Sequence, residues 1–278
     1  MKSIYALAVA AALVFTACSK KDDAKPDTGA KTLSTKVLGK WSLGSEVEIG
    51  ARKAGSTLAK ETSVGEGFVE FLADSTYYIH DARGKFYTGK YSALDSINIS
   101  LGSFGKITAI SFTSTGINFK LTYGANNEEL TLAGVKIQTA AADDKTKLIS
   151  RIWSLTKEDN GESMFGQWPV WDAAGEIVGY KQIDSITIQF STYGTRILRR
   201  FENTVLIDTD VTNWKWHATE ANRFLFYPVG TNPGEYPYET ALELTKDIMK
   251  TEQVADFNGD GLLTADEKYK YTLKPAVK

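Results

Sequence analysis

Apolar and polar residues alternate along most of the chain with the two-residue period of strands that bury one face. Ile97, Ile99 and Leu101 alternate, as do Ile117, Phe119, Leu121 and Tyr123. The pattern returns at Ile186, Ile188 and Phe190, and again at Tyr269, Tyr271 and Leu273. Turn-forming residues punctuate these runs at Arg83-Gly84, Asp95-Ser96, Ser114-Thr115-Gly116 and Gly124-Ala125-Asn126-Asn127. Short strands at such spacing predict an antiparallel meander closing into a barrel or sandwich. Helix signals are few, and the strand–helix alternation of a parallel sheet is absent.

The first residues follow a different grammar. Lys2 supplies a positive start, and Ile4 through Ala17 carry no charge. A transmembrane helix needs about 20 apolar residues, so this shorter run fits the apolar region of a signal peptide. It ends Phe15-Thr16-Ala17-Cys18, and Cys18 is the only cysteine of the 278 residues. Small residues before a lone cysteine resemble the lipobox of bacterial lipoproteins, with Phe15 where leucine is usual. The resemblance implies a lipoprotein signal peptide over residues 1–17, cleavage before Cys18 and acylation of that cysteine. The alternative is an ordinary secreted protein with a leftover thiol. Ser19-Lys20-Lys21-Asp22-Asp23 resembles the export signal of Bacteroidetes surface lipoproteins, which implies a lipid anchor in the outer membrane and display on the cell surface. The periplasmic face is the other possibility. Residues 18–33 then read as a lipidated flexible tether. No disulfide forms within one mature chain, so the folded part relies on its cores.

A small, polar stretch at residues 139–146 separates two segments with similar beginnings. Leu38-Gly39-Lys40-Trp41-Ser42-Leu43 precedes it, and Arg151-Ile152-Trp153-Ser154-Leu155 follows it. Each tryptophan is followed by a strand with a similar ending, first Val69-Glu70-Phe71-Leu72-Ala73-Asp74-Ser75-Thr76-Tyr77 and then Ile188-Gln189-Phe190-Ser191-Thr192-Tyr193-Gly194-Thr195. The tryptophans lie 112 residues apart and Phe71 and Phe190 lie 119 apart, so the second opening loop holds seven extra residues. Two diverged copies of one module are expected. Gly39-Lys40-Trp41 resembles the opening of lipocalins, and Phe71 through Tyr77 resembles the Phe-x-x-Asp-Gly-Thr-Tyr hairpin of lipocalin-like domains on Bacteroidetes lipoproteins. Ser75 departs from that pattern where glycine is usual, and Arg151 departs from the opening glycine. The resemblance implies two antiparallel up-and-down β-barrels in tandem, a first domain over residues 34–138, a linker over 139–146 and a second domain over 147–278.

Hydrophobic residues make up 42% and charged residues 24%, which are globular proportions. A formal net charge of −2 gives no electrostatic reason to expect nucleic acid as a partner. One motif carries metal chemistry, the loop over residues 256–267. Calcium takes six to eight oxygens. Asp256, Asn258 and Asp260 offer side-chain oxygens, Leu262 its carbonyl, Thr264 its hydroxyl or a water, and Glu267 two carboxylate oxygens. All twelve positions agree with the EF-hand loop. The flanks do not, because Tyr269, Tyr271 and Leu273 alternate as a strand where a helix would continue. The expectation is an EF-type calcium loop carried by a β-hairpin, and the plain alternative is an acidic turn.

Trp214 and Trp216 share one strand face, as core residues do. Trp168 and Trp171 sit in the second opening loop, where they stack on a ligand or fold over the barrel mouth. No GxSxG, HExxH or phosphate-binding motif is present, so no catalytic residue is assigned. A glycosidase built from carboxylates distant in sequence has no positive support. The expected function is a non-enzymatic module binding a small apolar or glycan ligand. The alternative is a structural subunit of a cell-envelope complex, its barrels filled by side chains. A cavity of a few hundred cubic ångströms separates the two.

Overall fold

The computed structural model describes residues 28–44, 49, 66–137, 142–162, 165–171, 176–232, 238–254 and 267–276. The fold is mostly β, with two antiparallel up-and-down barrels in tandem. The first sheet contains β1 (Gly39–Gly44), β2 (Gly67–Phe71), β3 (Thr76–His80), β4 (Phe86–Lys90), β5 (Ser92–Ala93), β6 (Ile99–Ser100), β7 (Gly105–Phe112), β8 (Gly116–Tyr123) and β9 (Glu128–Lys136). β1 pairs with β2 and β9, which leaves a seam only between β4 and β5, where Tyr91 joins the two strands.

The second sheet is a closed barrel. Its strands are β10 (Ile152–Thr156), β13 (Ser185–Phe190), β14 (Thr195–Glu202), β15 (Val205–Trp216), β16 (Arg223–Pro228), β17 (Tyr238–Leu244), β18 (Met249–Val254) and β19 (Lys268–Pro275). β11 (Gln167–Trp171) and β12 (Ile177–Gln182) form a separate hairpin between β10 and β13. Three short helices complete the described elements: α1 (Thr28–Lys36), α2 (Asp144–Ile149) and α3 (Lys157–Asn160).

The alternating runs behave unevenly. Ile117, Phe119, Leu121 and Tyr123 all point into the first core along β8. The run Ile97, Ile99, Leu101 yields only the two-residue β6, and Ile97 stays exposed. Part of the stretch expected to be tether, up to residue 33, is helical. α1 begins at Thr28, and Leu33 and Val37 are buried in the first core. The expected linker at 139–146 likewise runs into α2, whose N-cap Asp143 accepts the amide of Thr146 at 2.7 Å. A polar run read as linker is there a cap.

The two barrels open in the same way. Trp41 donates its indole N–H to the carbonyl of Val37 at 2.8 Å, and Trp153 donates to Ile149 at 2.9 Å, four residues back in each case. Trp41 sits opposite Val69, and Trp153 opposite Ile188, which restates the 112- and 119-residue offsets in the ladder. The following turns also match. Leu72 and Ser191 donate their amides to Thr76 and Thr195, each at 2.8 Å. Tyr91 and Trp214 donate their amides to Ser75 and Gly194, again at 2.8 Å. Their side chains then cap the same turns, Tyr91 on the Leu72 carbonyl and Trp214 on that of Ser191. These correspondences fit two copies of one module. Ser75 holds φ +63° where the second copy has Gly194 at φ +88°, so the departure from glycine keeps the left-handed turn.

The barrels share a face. Every residue of β2 is buried, because Val69 and Phe71 enter the first core while Phe68 and Glu70 turn to the second barrel. Phe68, Tyr78, Ile197 and Val229 form one apolar cluster across that face. Gln189 donates to the Tyr78 hydroxyl at 2.5 Å. Lys40, wholly buried, donates to Thr195 at 2.8 Å and to Asn213 at 2.5 Å, and sits 4.1 Å from the centre of the Phe68 ring.

Candidate functional site

The two interiors differ. Trp41, Phe71, Tyr77, Tyr91 and Phe119 fill the first barrel. Its tightness is visible at Gly89, where a side chain would meet the Tyr77 ring at 2.9 Å. An open hollow of about 580 Å³ lies beside β4 and the β6–β7 turn, next to Tyr77, Tyr87 and Phe104. The second barrel keeps a smaller, partly open cavity of about 410 Å³. All eight of its strands contribute to the lining, through Leu155, Ile188, Leu198, Asp210, Phe226, Glu239, Gln253 and Leu273 among others. Trp214 and Trp216 pack edge to face at 5.7 Å in the core beside it, as their shared strand face predicts.

Strand parity explains the lining of β14. Thr195 and Ile197 face the first barrel, so Arg196, Leu198 and Arg200 face inward. Arg196 is only 5% exposed, and its guanidinium sits 4.6 Å from the centre of the Phe226 ring. Its nearest carboxylate contact is Asp210 at 3.9 Å, and its Nε has no hydrogen-bond partner among the described residues. Glu239, also buried, faces the same space. Burial holds its carboxyl above the ordinary range, and the charge of Arg196 opposes that rise. Burial likewise lowers the Arg196 pKa, with Glu239 and Asp210 opposing, but a guanidinium stays charged. Tyr271 donates to Gln253 at 2.7 Å on the adjacent wall, and burial raises its phenol pKa above the ordinary value.

The inserted hairpin covers part of this space. Phe165 is buried in the second core, and Gln182 ties the segment down by donating to the Phe165 carbonyl at 2.5 Å. Trp168 lines the cavity and stacks 3.7 Å from the Arg200 guanidinium, which also pairs with Asp208. Of the two loop tryptophans expected near a ligand, Trp168 is at the cavity. For Trp171 only the backbone, opposite Ile177, is described.

The calcium positions Asp256, Asn258, Asp260, Leu262 and Thr264 lie outside the described residues, as does Cys18. The strands flanking the loop are described. They pair as a hairpin down to Val254 opposite Lys268, and Glu267 is buried. Among the described residues no group of three metal-ligating side chains occurs, and no helix is long and apolar enough to cross a membrane.

Sequence reasoning missed Arg196, Asp210, Glu239, Gln253 and Tyr271 as members of one site. The available signal was the run Arg196-Ile197-Leu198-Arg199-Arg200, a strand with arginines on the same face as a leucine. Charged residues at an inward parity mark a lined cavity, but parity was not assignable there because both faces of β14 are covered.

No family model matches the chain, and no curated protein matches it either. Among solved structures, a protein with unknown function from the DUF3598 family of Nostoc punctiforme PCC 73102 is similar over 91% of this chain and 100% of its own. The identity is 11% and the TM-score 0.23, too low to support any inference about this chain.

Proposed function

We propose that this protein is a non-enzymatic binding module whose second barrel takes up one small apolar or glycan ligand, and that lipid on Cys18 anchors it at the outer membrane. The observation that carries the reading is one cavity lined by all eight strands of the second barrel, whereas the hollow of the first half is more open and lies beside β4. A hollow of about 410 Å³ falls in the range of pockets that hold small molecules. Its lining supports the same reading, since apolar walls with a few convergent polar groups are what such pockets present.

Calcium held by Asp256, Asn258, Asp260, Leu262, Thr264 and Glu267 would brace the β18–β19 hairpin, two of whose residues, Gln253 and Tyr271, line the cavity. The filled first barrel favours a second role for that half, as an interaction unit in an envelope assembly.

The test is amide NMR of the mature chain with N-phenyl-1-naphthylamine, an uncharged apolar probe. The expected result is shifts at Leu198, Phe226 and Leu273 and none at Phe71, Tyr77 and Leu121. No shifts, or shifts confined to the first barrel, would overturn the reading.

A further inference from the structure

We infer that the ligand of the second barrel has an uncharged head, carrying both hydrogen-bond donors and acceptors, on an apolar body, with the head seated against Arg196, Asp210 and Glu239. This rests on the binding reading above and narrows it to a chemical class: hydroxyl- or amide-headed amphiphiles.

The charges of the cavity are already matched. Arg200 pairs with Asp208 and is stacked on Trp168. Arg196 has Asp210 at 3.9 Å and interacts with Glu239. Two guanidinium groups therefore meet three carboxyl groups. With Glu239 ionised the site is net negative, and with Glu239 protonated it is balanced. In neither state does it hold the unmatched positive charge that an acidic head requires. A carboxylate placed there would lie beside the exposed Asp210 and the buried Glu239, and like charges repel most strongly at the buried one. A cationic head would lie beside two guanidinium groups, and with Glu239 protonated, the state its burial favours, no unmatched negative charge is left for it.

Hydrogen bonding is the unmet need. The Arg196 Nε–H is buried without a partner among the described residues, and a buried unsatisfied donor costs about 1–3 kcal/mol, while the side chain itself lines the cavity. A hydroxyl or carbonyl oxygen accepts from the cavity-lining guanidinium of Arg196 without adding charge. Asp210 supplies an acceptor for the head's own donors. The Tyr271 hydroxyl spends its proton on Gln253, which leaves its oxygen as a further acceptor. The head must then both donate and accept, as hydroxyls and amides do. The apolar body lies along Ile186, Leu198 and Leu273.

The test compares three probes with one decyl chain and different heads: 1-monodecanoylglycerol, decanoate and decyltrimethylammonium. Each is titrated into the mature wild-type protein at neutral pH by calorimetry, below its micelle concentration. The glycerol ester is expected to bind about tenfold or more tighter than either charged probe, a gap of about 1.4 kcal/mol. Arg196→Gln, which keeps a donor but leaves Asp210 and Glu239 unopposed, is expected to widen the glycerol-to-decanoate ratio, and a narrowed ratio overturns the charge argument. Decanoate binding as tightly as the ester, or a preference for the ammonium probe, overturns the uncharged-head inference while leaving the cavity as a binding site. If none of the three binds, the binding reading falls with it.

Discussion

The hydroxyl of Thr195, at the start of β14, donates to the carboxylate of Glu70 on β2 and so joins the two barrels through a buried hydrogen bond. The same hydroxyl accepts from Lys40, which lies opposite Glu70 in the β1–β2 ladder. A lysine and a glutamate thus share one threonine of the other barrel, all three wholly buried. Removing one partner of such a pair strands a charge, whereas removing both does not. Lys40→Met is expected to cost about 3–5 kcal/mol, and Lys40→Met/Glu70→Leu to recover most of it. Chemical unfolding of the three proteins measures this. Equal losses in the single and double variants would show that the pair is not coupled.

Lys40 also carries a pH signature. Burial lowers its pKa from 10.5 to about 8 in the folded protein, with Glu70 opposing. Between those values the unfolded chain binds more protons than the folded one, so the contribution of Lys40 to stability rises as pH increases through that window. The penalty of burying the charge is fully present below about pH 8. Stability of wild type minus that of Lys40→Met/Glu70→Leu should climb from pH 8 to 10, and a flat or falling difference contradicts the assignment.

The matched turns respond in opposite directions. Ser75 occupies φ +63°, a region that costs a non-glycine residue roughly 1–2 kcal/mol, so Ser75→Gly is expected to be neutral or stabilising by up to about 1 kcal/mol. Gly194 holds φ +88°, and an added Cβ would meet the Trp214 carbonyl at 3.1 Å. Gly194→Ser is expected to destabilise by more than about 1 kcal/mol. Thermal melts of the two variants decide it.

Calcium should act on the second barrel through the β18–β19 hairpin. At 100 times its dissociation constant it would add about 2.7 kcal/mol of stability. A lone loop without a partner hand is expected to bind on the order of 10⁻⁴–10⁻³ M. Glu267→Gln keeps the shape of the closing residue and removes its charge, so it should abolish most of the rise in melting temperature between EGTA and excess calcium. If wild type melts identically in both, the loop is only a turn.

Much of the fold was legible in the sequence, and the reasons are local. A two-residue period seen over Ile117–Tyr123 or Ile186–Phe190 needs only one buried face to be read, and both runs became barrel strands. The repeat was legible because Trp41 and Trp153 occupy one ladder position in each barrel. What stayed hidden depends on a third surface. Phe68, Glu70, Thr195 and Ile197 face neither core nor water but the other barrel, so alternation vanishes along β2 and β14. That loss concealed the inward Arg196, and with it the site. α1 was hidden for a related reason: one leucine, Leu33, in an otherwise polar run gives no helical stripe.

The same third surface bears on whether the halves fold alone. Separated, the barrels would expose Phe68, Tyr78 and Ile197 and leave Lys40 without Thr195 and Asn213. A fragment of residues 147–278 is therefore expected to melt cooperatively but below the temperature of its barrel in the whole chain, and a mixture with residues 28–138 is expected to regain part of the difference. Identical melting in isolation would mean the shared face contributes nothing.

The central claim is that the hollow of the second barrel is a ligand site, and fluorescence titration with N-phenyl-1-naphthylamine tests it most directly. Wild type is expected to take up about one probe per chain, as a single pocket of this size allows. Leu198→Trp and Ile186→Trp, each placing an indole into the cavity from a different strand, are expected to remove that uptake while the protein still melts cooperatively. Uptake that is absent in wild type, or unchanged in both folded variants, would contradict the account.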